Sequence, residues 1–271
     1  AAAVARWRDM ADGRILCDYG LHVTVVDAAP ERLAELPALL RAGLPTFKGF
    51  LAYKGRLMLT PVAMSSLMDA VAEAGGLLLV HAEDGEMNAQ VEAELLAAGR
   101  TAPRWHPDAH PVESEVQAAG LALDLARQAD CPLLVVHMSA AGTLAALRRA
   151  QSDREGGGPA ALGEVCVHHL FADDAAYRAD EDAALGAICS PPLRPAGHGA
   201  ALLAGLADGA IDLLSTDHCE FALATKRNAA PGGFMKVPNG CGGVGERLVL
   251  SHTMAVCEGR LDPWRWQQAF A

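Results

Sequence analysis

Side chains suited to holding divalent cations stand where several apolar runs of this sequence end. His81 follows Leu77-Leu78-Leu79-Val80, His137 follows Leu133-Leu134-Val135-Val136, and Asp217, with His218, follows Ile211-Asp212-Leu213-Leu214-Ser215-Thr216. Lys48 interrupts the otherwise apolar stretch Phe47-Lys48-Gly49-Phe50-Leu51-Ala52-Tyr53. Imidazole and carboxylate are ligands that zinc accepts readily. Each residue also has a plainer explanation. A histidine at a strand end is more often a hydrogen-bonded core residue than a ligand, and a lysine can bury its stem while its head stays wet. Two histidines after near-identical runs, an aspartate after a third and a lysine that is costly to desolvate weigh against that explanation without excluding it. Glu83, two residues after His81, serves equally as a partner for that imidazole or as half of a salt bridge. The adjacent His168 and His169 are expected on opposite faces of a strand, unable to enter one pocket together. His106, His110, His198 and His252 are expected at surface or loop positions, and His22 in the core or supporting a site residue.

The elements that must position these residues follow from hydrophobic patterning. Strands are predicted near 21–27, 47–53, 77–83, 132–139, 162–169, 185–190 and 211–217, with apolar runs that are continuous, as a parallel strand covered on both faces requires. Helices are predicted near 60–75, 86–98, 113–129, 140–151 and 198–208, the first opening with Thr60 as N-cap and Pro61 at the first helical position. This alternation means a parallel sheet, open or closed. In a closed barrel all strand C-termini open on one face, so residues distant in sequence would converge there. The polar stretch 152–159 is expected to be a surface loop. The long connection 219–245, rich in Gly and Pro, follows the most polar strand end and is expected to be functional.

Bulk composition narrows the partners. The 271 residues are 51% hydrophobic and 20% charged, with a formal charge of −11 from 22 basic and 33 acidic residues. No basic run is present to neutralise a phosphate backbone, which argues against nucleic acid and for a neutral or weakly acidic small substrate. Seven cysteines without a CxxC pair point to free thiols in a reducing cytoplasm. No stretch approaches the roughly 20 apolar residues of a membrane helix.

Six ordered segments now carry a resemblance: Thr46-Phe47-Lys48-Gly49-Phe50-Leu51-Ala52-Tyr53-Lys54, Val80-His81-Ala82-Glu83-Asp84-Gly85, Val136-His137-Met138-Ser139, Cys189-Ser190-Pro191-Pro192-Leu193-Arg194, Ser215-Thr216-Asp217-His218-Cys219 and Lys236-Val237-Pro238-Asn239-Gly240. Together they resemble the dihydropyrimidinase and D-hydantoinase family of the amidohydrolase superfamily, from about Asp18 onward. The resemblance implies a TIM-like (β/α)8 barrel, incomplete at both ends, with 1–271 as one catalytic domain and the family's small β-sandwich not seen. It implies two divalent ions, zinc by preference, bridged by Lys48 as a carbamate. His81 and His137 would ligate one ion and Asp217 the other. Tyr53 would hydrogen-bond the developing oxyanion, while Ser190 and Asn239 hold the ring amide. A metal-bridging hydroxide would then open dihydropyrimidines or hydantoins to N-carbamoyl amino acids, with Asp217 as general base and then general acid. A homotetramer is the family's common assembly.

The sequence also departs from the family. No His-x-His pair occurs, although the family places one at the end of its first barrel strand, further upstream than the 47 residues before Lys48 allow. The chain is therefore expected to be a piece of an intact enzyme or a truncated relative holding at most one ion. Allantoinase and dihydroorotase are the competing enzymatic readings, and the Phe-Leu-Ala-Tyr run ending at Tyr53 favours dihydropyrimidinase-like chemistry over both. A non-catalytic scaffold of the dihydropyrimidinase-related kind would shed ligands one by one, whereas Lys48, His81, His137 and Asp217 all persist here.

Overall fold

Among the described residues, short runs of Leu, Val and Phe, too apolar to leave either face in water, form six strands. The structure is a computed structural model that describes residues 2–154 and 157–270. The strands are β1 (Val23–Thr24), β2 (Thr46–Phe50), β3 (Leu77–His81), β4 (Leu133–Val135), β5 (Ala161–Cys166) and β6 (Leu213–Ser215), all parallel and neighbouring one another in sequence order. Sequential order with a helical crossover after most strands is the barrel pattern.

The period of two sorts the strand residues onto two faces. Phe47, Leu78, Val80, Leu133, Val135, Val165 and Leu214 join the main core with helical residues such as Met64, Leu67, Ala119, Leu147 and Leu202. Leu79, Leu134 and Val136, flanked by Leu77, Leu162 and Leu213, form a separate inner cluster. The register aligns Lys48 with Leu79, Leu79 with Leu134, and Leu134 with Leu162. Lys48 therefore stands on the inner face. Two residues on, so do Phe50 and His81, which are also paired in register. By the same alternation Glu164, Cys166 and Ser215 face inward. On the outer face Gly49 admits the helix Pro61–Ala74 so closely that an added Cβ would meet Met64 Cε at 3.0 Å.

Local signals fix the crossover helices. Thr60 Oγ1 accepts from Ala63 N at 3.2 Å to start Pro61–Ala74, and Gly75, at φ 79°, ends it in the left-handed region. Asp84 caps Gly85–Ala97 by accepting from Glu86 N and Met87 N, both at 3.0 Å. The helices Val112–Gln128, Ala141–Arg154 and His198–Ala207 fall where the patterning predicts them.

Several expectations require correction. The segment 185–190 is not a strand: Asp180 caps the helix Glu181–Ala187 by accepting from Ala183 N at 2.8 Å, and its Ala-Leu run is as suited to a buried helix as to a strand. The strand expected over 162–169 stops at Cys166, and the chain turns into the helix Val167–Phe171. His168 and His169 are thus about 100° apart around a helix axis instead of on opposite strand faces, with ring centroids 4.2 Å apart. Finally, three strands are shorter than expected, β1 covering only Val23–Thr24 of 21–27, β4 only Leu133–Val135 of 132–139 and β6 only Leu213–Ser215 of 211–217. Of the loop expected over 152–159, Ser152–Arg154 continues a helix and 155–156 lie outside the described residues.

Candidate active site

The inner face of the sheet and the loops leaving β2, β3, β4 and β6 enclose a cavity of about 150 Å³. Lys48, Tyr53, His81, His137, Ser190, Asp217 and Asn239 all line it, with Phe50, His168, Cys189 and Cys241. Every residue expected from the sequence to act at one site is thus brought to one place. A wider groove of about 710 Å³ adjoins it, sharing Phe50, Tyr53 and Asn239 and continuing past His110, Phe234 and Val237.

The backbone is bent to present these side chains. Tyr53 (φ 64°), His137 (φ 39°) and Asp217 (φ 42°) hold left-handed conformations, and Asp130 is the single further non-glycine example among the described residues. Each costs of order 1–3 kcal/mol and persists only where surrounding structure fixes it. Behind His137, its backbone N–H donates to Glu164 Oε1 at 3.2 Å, and Met138 N donates to Glu164 O at 2.8 Å.

Buried electrostatics set the states of these groups. His81 Nε2 lies 2.8 Å from Glu83 Oε2, and His110 Nδ1 lies 2.9 Å from Glu83 Oε1. Burial alone would raise the Glu83 carboxyl, but His110 and His81 together hold it well below the usual carboxylate range. A carboxylate behind an imidazole fixes which nitrogen faces outward and strengthens it as a ligand. Glu83 is therefore the partner of His81, the first of the two roles open to it from sequence. Burial, then the charges of His81 and Lys48, push His137 well below the usual imidazole range, so it stays neutral with a lone pair available. Its Nδ1 is buried without a hydrogen-bond partner. The rings of His81 and His137 are 4.5 Å apart. An orphaned imidazole nitrogen beside a second imidazole, in a cavity that Asp217 also lines, is the donor chemistry a divalent cation takes, whereas Lys48 as an ammonium would repel one.

The opposite wall is polar and immobilised. Burial raises the Tyr53 phenol, as does the nearby Glu83 charge, so it stays protonated and able to donate; its hydroxyl hydrogen-bonds the Ser190 side chain. Asn239 Nδ2 donates to Ser190 Oγ at 3.0 Å. Lys226, fully buried, donates to Ile188 O at 3.0 Å and Gly240 O at 2.7 Å, clamping the two segments that carry Ser190 and Asn239.

Other supporting groups were not singled out by sequence. Glu115 accepts from Ser139 N (2.9 Å), Ala140 N (3.0 Å) and Thr143 Oγ1 (2.8 Å), from the Ser139 hydroxyl, and from Arg194 Nη2 at 3.0 Å. Both charges are almost fully buried, at 2% and 3% exposure, and they pin the loop after His137 to the segment after Ser190. Glu115 lies in the first turn of the helix Val112–Gln128, where an acidic residue is an ordinary complement to the helix dipole, so nothing local marked it. His106, expected at the surface, is buried beside His110, with Nε2 donating to Cys189 O at 2.8 Å and burial lowering its pKa to about 3. His22, expected in the core or in support of a site residue, is exposed, with Nδ1 2.8 Å from Thr46 Oγ1.

With this geometry in place, the known relatives are informative. No family model matches the chain. The D-hydantoinase of Streptomyces coelicolor is 36% identical over 260 residues, covering 96% of this chain and 55% of that protein. The D-phenylhydantoinase of Escherichia coli O81 is 34% identical over 261 residues, again 96% of this chain and 55% of the relative. Among solved structures, the dihydropyrimidinase of Brevibacillus agri superposes with a TM-score of 0.94 at 30% identity, covering 98% of this chain and 57% of that one. The chain spans about half the length of the curated relatives it matches. Its six parallel strands are an arc of their TIM-type barrel. On sequence, fold and the order of its motifs, the chain belongs to the dihydropyrimidinase and D-hydantoinase family.

Proposed function

We propose that this chain provides the metal-binding barrel core of a hydrolase that opens cyclic amides, dihydropyrimidines or hydantoins, to N-carbamoyl amino acids. The observation that carries this is the convergence of Lys48, His81, His137 and Asp217 on one cavity where a buried imidazole nitrogen lacks any partner. Lys48, carboxylated by CO₂, would exchange a cationic amine for an anionic oxygen donor able to hold two cations. Imidazole and carboxylate donors favour zinc. When bound, the metal pair would supply activation of water near neutral pH and polarisation of the ring carbonyl.

The chain's own residues account for the rest. Glu83 holds His81 in one orientation. Tyr53 keeps its proton and donates a hydrogen bond to the carbonyl oxygen as negative charge develops there. Asp217 accepts the proton of the attacking water and passes it to the departing ring nitrogen. Ser190, held by Asn239 and Tyr53, fixes the ring amide, and the wider groove past Val237 receives a ring substituent. A role in pyrimidine breakdown, a homotetramer and a cytoplasmic setting accompany this reading.

Metal titration of the chain tests it first. We expect divalent-ion uptake that falls at least about 10-fold in Lys48→Ala and in His137→Ala. A folded wild-type chain that takes up no ion refutes the hydrolase reading in favour of a scaffold. Ring opening assayed on dihydrouracil, hydantoin, allantoin and dihydroorotate separates the remaining enzymatic readings, with the first two expected to react.

A further inference from the structure

Beyond these four ligands, the turn from β5 into the helix Val167–Phe171 gathers Cys166, His168 and His169, with one donor atom of each within 4.8 Å of the others. None of the three has a part in the chemistry above. His169 Nε2 lies 3.0 Å from Pro191 O and so carries the ring hydrogen, leaving Nδ1 as a bare lone pair. That Nδ1 is buried without a partner, and so is Nδ1 of His168. Leaving a buried polar atom unsatisfied costs about 1–3 kcal/mol, and two such atoms on rings whose centroids are 4.2 Å apart can be met by one shared occupant. A proton or hydroxyl could satisfy one of them; an ion between them satisfies both. Cys166 Sγ, on the inner face of β5, has Ser215 Oγ at 3.3 Å as a neighbour that can supply or hold a further ligand.

We propose that Cys166, His168 and His169 form a second cation site, for a thiophilic divalent ion of the zinc class, in the wall of the cavity. Its ligand set of one thiolate and two imidazoles suits zinc over magnesium or calcium. Zinc holds sulfur at about 2.3 Å and imidazole nitrogen at about 2.0–2.1 Å, so small side-chain rotations close the present spacing. Binding releases the thiol proton to solvent and forms one sulfur–metal bond. His168 also lines the cavity, so an ion here would border the space the substrate enters. The site stands whether or not Lys48, His81, His137 and Asp217 hold metal.

Cobalt(II) discriminates the two sites, because the four cavity ligands include no sulfur. Titrating the metal-stripped chain with Co²⁺ is expected to produce a near-ultraviolet thiolate-to-cobalt charge-transfer band. The band disappears in Cys166→Ser, weakens at least about 10-fold in apparent affinity in His169→Gln, and persists in Lys48→Ala. Circular dichroism checks that each variant is folded. Zinc-edge X-ray absorption on the unaltered chain, expected to show a sulfur neighbour at about 2.3 Å, needs no variant at all. Absence of any thiolate band and sulfur neighbour in the folded wild-type chain overturns the proposal. A band that survives Cys166→Ser does the same, since it assigns the thiolate to another cysteine of the cavity.

Discussion

Replacing Glu115 with Gln tests how far the site depends on a charge that never touches it. The two carboxylate oxygens have different tasks: Oε1 takes Ser139 N, Ala140 N and Thr143 Oγ1, while Oε2 takes the Ser139 hydroxyl and Arg194 Nη2. Glutamine can keep its carbonyl on the first side only by turning its NH₂ toward Arg194. Two donors then face each other and the guanidinium loses its counter-charge. Because both partners are almost wholly buried, solvent cannot compensate, and breaking such a pair costs about 3–5 kcal/mol. With a urea slope of about 3 kcal/mol/M for a chain of this size, the midpoint falls by about 1–2 M. Urea titration followed by circular dichroism measures this directly. The double variant Glu115→Gln/Arg194→Met should lose less than the sum of the single losses, since the stranded charge is removed. A shift under about 0.3 M for Glu115→Gln would refute the claim that this pair holds the two loops together.

Further outcomes follow from the same geometry. Glu83→Gln should weaken divalent-ion binding about 10- to 100-fold while the chain stays folded, read by metal titration; unchanged affinity would remove Glu83 as the orienting group of His81. The Glu83 carboxyl is depressed in the folded state, so its stabilising contribution is full above the unfolded value of about 4.3 and is lost as pH falls through the folded one. The stability gap between wild type and Glu83→Gln should therefore narrow below about pH 4.3 in acid denaturation, and a gap that widens there contradicts the assignment. Gly199→Ala should destabilise by about 1–3 kcal/mol in thermal unfolding, although alanine ordinarily favours a helix, because its Cβ would sit 2.6 Å from Leu170 O and 2.8 Å from His169 O. A neutral or stabilising result would mean the two carbonyls can yield.

What was legible in the sequence was whatever depends on period and order. Continuous apolar runs identified β2 to β6, and the ends of those runs marked His81, His137 and Asp217. That Lys48 faces inward, by contrast, follows only from the register that pairs it with Leu79. The errors arose where a short apolar run is compatible with either period. Leu185–Ser190 is mostly apolar, and only the cap at Asp180 decides for a helix. Likewise Val167–Phe171 continues the composition of β5 while changing its geometry, so the adjacency of His168 and His169 could not be read from spacing. Glu115, Arg194 and His106 were illegible for another reason. Their partners lie 83 residues away for His106 and 79 for the Glu115–Arg194 pair, and no local pattern encodes contacts of that range.

The left-handed residues of the cavity carry an evolutionary consequence. Glycine at Tyr53, His137 or Asp217 would relax the backbone, so selection for thermal endurance alone would erode these positions first. A library of this chain sorted only for heat resistance should enrich glycine or asparagine there and discard the chemistry along with the strain. Sites where endurance and the retained side chain pull in opposite directions mark, without any ligand bound, what the fold is maintained to do.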